Sequence, residues 1–156
     1  RRVLSKSNLQ WLESLPFEGG IEGVRFCHGV PPELDAFDYL FAMAQVQPLI
    51  HEYEKHAFLT FVGHSHLCKA FSYTADLAHE VLRTRFTLET GRKYIISAGS
   101  VGQPRDYDAR SCSAIYDTET RRFEFVRVPY DIEAAAEQIY ASNLSDAFAR
   151  RLFVGV

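Results

Sequence analysis

Three histidines stand where a metal site or a catalytic centre is easily built. His28 directly follows the short apolar run Val24-Arg25-Phe26-Cys27, and His64 and His66 flank Ser65 just after the run Ala57-Phe58-Leu59-Thr60-Phe61-Val62. Imidazole suits zinc, manganese, iron or nickel, so three such rings aimed at one locus make an incomplete first shell for a cation. In extended backbone, positions i and i+2 face the same side, which lets His64 and His66 point together. Gly29 and Gly63 sit beside them and permit tight turns that bring backbone close to an ion. The same spacing also fits ordinary loop histidines, and residue types alone leave both readings open.

A second candidate is the stretch Ser97-Ala98-Gly99-Ser100-Val101-Gly102-Gln103-Pro104-Arg105-Asp106. Two glycines allow a sharp turn there, and the Arg105 guanidinium matches either a phosphate oxygen or the carboxylate of an ordinary inter-loop ion pair. Cys27 beside His28 raises the possibility of a cysteine nucleophile with its base, but strand neighbours point to opposite faces and cannot make that contact. His51 and His56, among Glu52, Glu54 and Lys55, read as a solvated face, and His79 as part of a polar connection. No phosphate-binding P-loop, GxGxxG or GxSxG occurs, which removes the commonest nucleotide, dinucleotide and α/β-hydrolase readings.

The elements that must position these residues alternate early in the chain and change character later. Residues 5–15 predict a first helix, capped by Ser5 or Ser7, with Leu9, Leu12 and Leu15 as its apolar edge and Pro16 as its stop. Gly19, Gly20 and Gly23 mark a turn into a strand over 24–27. Two helical segments are expected next, one carrying Leu34, Phe37, Leu40 and Phe41, the other Val46, Leu49, Ile50 and Tyr53. The 36-residue separation of His28 and His64 is long enough for a crossover between parallel strands. Parallel strands would bring both histidine clusters to one carboxyl edge, where α/β sheets build their sites.

Beyond residue 66 the pattern favours strands. Residues 70–73 read as one strand, 82–88 alternate as a second, and 89–92 read as a hairpin turn into 94–97. Residues 113–116 and 123–126 form a further hairpin. Asp131 caps a helix with the stripe Ile132, Ala135, Ala136, Ile139 and Tyr140, and Ser145 caps a last short one. No linker or repeat divides the chain, so residues 1–156 read as one α/β unit.

Composition sets outer bounds. The chain has 156 residues, 47% of them hydrophobic, with 17 basic and 20 acidic side chains and a formal charge of -3. A domain of this size buries roughly 70% of its unfolded surface. No basic excess points to nucleic acid and no apolar run is long enough to span a bilayer, so neither partner is expected. Three cysteines without a CxxC pair suggest reduced, mostly buried thiols in a cytoplasmic protein. The chain begins Arg1-Arg2 and its one methionine is Met43, so either processing or an absent N-terminal portion is expected.

Taken together, these residues resemble the calcineurin-like metallophosphoesterase family, in particular its small bacterial phosphodiesterase branch. Gly63-His64-Ser65-His66 is similar to that family's last metal motif, usually Gly-His-Thr-His, and Cys27-His28-Gly29 to its single-histidine motif. The stretch 99–106, the hairpin at 113–128, the helix from Asp131 and the opening helix resemble the C-terminal part of the branch. The earlier Asp-x-His, Gly-Asp and Gly-Asn-His-Asp motifs have no counterpart here.

The resemblance implies a four-layer αββα sandwich whose first strands precede Arg1, with residues 1–156 as the C-terminal portion of one domain. It implies two divalent transition-metal ions, His28 and His64 holding one and His66 the other, with Arg105 toward the substrate phosphate. The implied activity is phosphatase or phosphodiesterase hydrolysis of a small phosphate ester or a phosphoprotein, with the separate 156-residue chain inactive. No catalytic residue in the strict sense falls within the sequence, since the family's leaving-group histidine would precede it. Two other readings stay open: a catalytically silent scaffold of the same fold that binds proteins, and a mononuclear zinc protein using the three histidines alone.

Overall fold

The computed structural model describes residues 4–156. Among these residues nine strands form two sheets. The larger has the order β1(Glu18–Ile21)-β2(Val24–Cys27)-β3(Leu59–Val62)-β7(Lys93–Ala98)-β4(Cys68–Tyr73)-β5(Ala78–Glu80), and the smaller the order β6(Arg85–Thr87)-β9(Arg122–Val128)-β8(Ser111–Asp117). Strands β2, β3 and β7 are parallel neighbours and the remaining pairs are antiparallel. Their carboxyl ends therefore lie along one edge. That edge carries His28, His64 and the turn that begins at Gly99.

Alternation along β7 explains why this sheet reads as continuous apolar sequence. Tyr94 and Ile96 enter the core between the sheets, with Leu59, Ala70, Leu88, Cys112, Phe123 and Phe125. Ile95 turns the other way and packs with Val30, Leu40, Val46, Leu49, Val62, Phe71 and Tyr73. A sheet covered on both faces needs apolar residues at successive positions, not alternate ones.

The chain departs from the sequence expectations in five places. The 28–58 connection holds one short helix, α2(Gln47–His51), and three 3-10 turns instead of two helices. The Pro31-Pro32 pair and Phe37, at a left-handed φ of 54°, prevent a helix from propagating through its first half. Residues 18–21 form strand β1, paired with β2 through a Glu22-Gly23 turn in which both φ angles are positive, the geometry of a tight hairpin. The expected strand 82–88 contracts to β6, with Leu82 87% exposed. Finally, β6 and β7 are not a hairpin: residues 88–92 carry the chain from one sheet to the other, and Phe86 reaches the inter-sheet core against Phe123 at a centroid distance of 5.0 Å. Residues 78–80, expected as polar connection, form β5.

The helices follow their caps. Ser5 Oγ accepts from Asn8 N in α1(Lys6–Glu13), Asp131 from Ala134 N in α3(Ile132–Tyr140), and Ser145 from Ala147 N in α4(Asp146–Val154). Helix α4 ends at Gly155, left-handed at φ 66°, whose carbonyl accepts from Tyr107 N at 2.9 Å. That bond docks the chain end onto the loop that carries Arg105. Helix α1 buries none of its side chains, and Trp11, Leu12, Leu15, Phe17, Ile21 and Phe26 form an exposed apolar series. Among the described residues no helix is long and apolar enough to cross a membrane.

Candidate functional site

Strands β2 and β3 end side by side, and their register continues into the loops. The His28 carbonyl accepts from both Gly63 N (3.0 Å) and His64 N (2.9 Å). This locks the two histidine-bearing turns together. Gly29 must be glycine there, because a Cβ would lie 2.8 Å from the Phe37 Cα. His28 Nε2 then faces His64 Nδ1 at 2.8 Å. One of these nitrogens is a bare acceptor, so at least one ring is neutral at that atom. Desolvation, then the neighbouring His28, Arg105 and His66, push the His64 pKa below its usual value. Near neutral pH the ring is thus in the form that binds a cation.

The separation fits a metal. Two nitrogens bound about 2.0–2.1 Å from one first-row cation at adjacent positions sit roughly 3 Å apart, close to the 2.8 Å seen. His66 is held differently. Its Nδ1 lies 2.8 Å from the Gln103 carbonyl, and a carbonyl can only accept, so Nδ1 carries the proton and, in the neutral ring, Nε2 is the nitrogen with the lone pair. This is the partner arrangement that orients metal-ligating imidazoles. His66 also holds a left-handed backbone at φ 58°, a conformation of the strained kind that clusters at sites. Among the described residues no group of three histidine, cysteine or acidic side chains converges as a metal shell. His28 and His64 form a pair, and His66 stands apart from it.

Residues the sequence left unassigned hold this edge in place. Ser65 is buried, and its Oγ accepts from Leu40 N at 2.7 Å, tying the turn between the histidines to the 28–58 connection. Tyr39 lies on His64 with ring centroids 4.2 Å apart, and Phe37 meets the edge of His28 at 5.8 Å. A serine between two histidines and aromatics in an apolar run were visible signals, but neither reveals its partner without the tertiary fold. Arg105 is half-buried. Its Nη2 donates to Gln103 Oε1 at 3.1 Å and its backbone N to the His66 carbonyl at 3.3 Å. Its Nε has no hydrogen-bond partner, and Arg105 forms no ion pair among the described residues. Asp106 anchors the same loop by accepting from Cys68 N and pairing with Arg127.

The other candidates lie elsewhere. Cys27 turns away from His28, and its thiol is pushed up to about 11, mainly by burial, so it is neither base-activated nor a thiolate. His51 and His79 are exposed on α2 and β5. His56 corrects the sequence expectation: it is only 6% exposed, and neither ring nitrogen has a partner. The chain turns inward after the 3-10 turn at 53–55, whose Tyr53 carbonyl accepts from Lys93 Nζ together with that of His56.

Burial first, then Arg25 and Lys93, lower the His56 pKa below its ordinary 6.5. The unfolded chain therefore binds a proton that the folded chain refuses. Stability is fully present above about 6.5 and falls as pH drops through that value toward the lower folded pKa. Urea unfolding from about pH 8 to about pH 5 should show a shallower loss for His56→Phe than for the parent. Identical pH slopes would remove the ring as the cause.

Comparison with known proteins gives two kinds of likeness. No protein-family model matches the chain. An uncharacterized protein of Methanocaldococcus jannaschii is 36% identical over 160 residues, covering 99% of this chain and 63% of that protein. The crystal structure of a metallophosphoesterase from Sphaerobacter thermophilus superposes with a TM-score of 0.81 at 29% identity, over 98% of this chain and 63% of that one. A hypothetical protein from Pyrococcus horikoshii gives a TM-score of 0.67 at 16% identity, over 96% and 55%, a likeness of fold alone. The chain thus spans less than two thirds of the length of these relatives.

Proposed function

We propose that this chain is the metal- and phosphate-facing part of a metal-dependent phosphoesterase that hydrolyses phosphomonoesters or phosphodiesters. The observation that carries the reading is the pairing of His28 Nε2 with His64 Nδ1 at 2.8 Å on the carboxyl edge of parallel strands. The His66 ring, two residues beyond His64 and held by the Gln103 carbonyl, and the likeness to a metallophosphoesterase structure support it. We read the two sheets as the inner layers of a four-layer αββα sandwich, with helices outside.

In this reading His28 and His64 hold one divalent transition-metal ion and His66 holds a second. Bound there, such a pair would clamp phosphate oxygens and lower the pKa of a water for in-line attack. Neutral imidazoles do not balance the charge of two cations. The carboxylate ligands come, on this proposal, from the part of the longer relatives that this chain does not span. The large apolar side chains left exposed from Trp11 to Phe26 support that arrangement, since such exposure is common at contact faces. Arg105 supplies a fixed cation and donor fork toward a phosphate oxygen, steadied by Gln103. The Gln103 backbone carbonyl also meets His66, so one residue supports both groups.

The test uses the full-length protein with p-nitrophenyl phosphate and bis(p-nitrophenyl) phosphate, after loading with manganese, iron, zinc or nickel. Hydrolysis of at least one ester is expected, falling at least about 100-fold on chelation and returning with metal. Hydrolysis indifferent to chelation, or none with any of the four metals, would overturn the assignment. The second outcome would favour a protein-binding scaffold.

A further inference from the structure

Cys68 opens β4 of the larger sheet and Cys112 lies in β8 of the smaller one, so their side chains meet across the interface between the sheets. Their Sγ atoms are 2.8 Å apart. A disulfide bond is about 2.05 Å long, so closure needs a combined movement of about 0.7 Å. The surrounding backbone fixes both residues. Cys112 N donates to the Ser100 carbonyl at 2.8 Å, Gly99 N to the Leu67 carbonyl at 3.0 Å, and Cys68 N to Asp106 Oδ2 at 3.2 Å. Gly99 caps the pair directly: a Cβ there would lie 2.7 Å from Cys112 Sγ and 2.8 Å from Cys68 Sγ. Cys27 is remote, with its Sγ against the Phe61 carbonyl.

We propose that Cys68 and Cys112 are an oxidation site that closes to an inter-sheet disulfide with a peroxide oxidant. Cys68 is half-buried and lines a cavity of 460 Å³ with Arg83, Asp106 and Arg127, which gives a small oxidant a route, whereas Cys112 is fully buried. One of the two sulfurs takes one oxygen from hydrogen peroxide, becoming a sulfenic acid as water leaves. The other sulfur then displaces that hydroxyl, forming the S–S bond and releasing a second water. Together the two thiols lose two electrons and two protons, and the peroxide takes them up. The cross-link ties the start of β4, two residues beyond His66, to the strand beneath the loop that carries Gln103 and Arg105. The proposal does not depend on the phosphoesterase reading.

The experiment exposes reduced full-length protein to hydrogen peroxide, removes the oxidant with catalase, then unfolds, alkylates with iodoacetamide and digests without reductant. The expected product is a linked peptide pair joining Cys68 to Cys112, about 2 Da lighter than the two reduced peptides. It should revert with dithiothreitol, while Cys27 takes the label in full. The Cys68→Ser protein, treated identically, should leave Cys112 alkylated. Full alkylation of Cys68 and Cys112 after peroxide, conversion to sulfinic acids without a linked peptide, or a link through Cys27 would each overturn the proposal.

Discussion

Alanine in place of His64 in the full-length protein is expected to lower phosphate-ester hydrolysis by at least about 100-fold, because losing even an outer partner of a metal ligand commonly costs 10–100-fold. His64 carries the largest expected effect because several features meet on its ring: the 2.8 Å contact with His28 Nε2, the Tyr39 ring against its face, and the backbone bond of its N–H to the His28 carbonyl. The side chain is partly exposed and contributes little core, so the variant should keep its far-ultraviolet spectrum and melting behaviour. A rate within about threefold of the parent, with the fold intact, would exclude His64 from metal binding. His79→Ala, on the exposed face of β5, is the matched control.

The second large effect is on stability. Phe123 is completely buried where the sheets meet, 4.7 Å from Phe125, 5.0 Å from Phe86 and 6.2 Å from Phe61 by ring centroids. Phe123→Ala removes a ring that touches both sheets, and the surrounding rings are too large to collapse into the space. A loss of about 3–5 kcal/mol is expected in urea unfolding of the full-length protein. A loss below about 1 kcal/mol would mean that the sheets do not pack as described. The consequence reaches the site, because β6 and β9 hold the smaller sheet against the face of β2, β3 and β7, whose ends carry His28, His64 and the Gly99 turn.

How far the sequence was legible depended on where each residue finds its partner. The continuous apolar run 57–62 suited a strand buried on both faces, and the 36-residue separation of His28 and His64 matched a parallel crossover. The caps at Asp131 and Ser145 were legible because capping is local. Leu40 misled for a physical reason: it is buried with Val46 and Leu49 beneath one sheet face, so helix-like spacing begins in a stretch where Pro31-Pro32 and the left-handed Phe37 stop a helix, whereas Leu49 does lie in α2. Strand β1 left no apolar trace, since Gly19 and Gly20 occupy its middle and all four of its residues are exposed. Strand β6 read as a hairpin partner of β7 because its true partner, β9, is far away in sequence.

The site was legible to a similar depth. The three candidate histidines were named from motif and strand ends, whereas the groups that support them were not. Ser65, Gln103 and Tyr39 act through contacts made only when distant segments fold together. His56 sits among charged neighbours in sequence and was expected in solvent, yet its ring is enclosed.

The most direct test is the metal content of the full-length protein, measured by elemental analysis beside intact mass after loading with manganese, iron, zinc and nickel in turn and removal of free ion. The account predicts close to two divalent transition-metal ions per chain for at least one of these metals, as a binuclear site requires. Parallel loading of the His64→Ala protein should lower that number. A folded full-length protein that retains none of the four would contradict the assignment of His28, His64 and His66 as ligands.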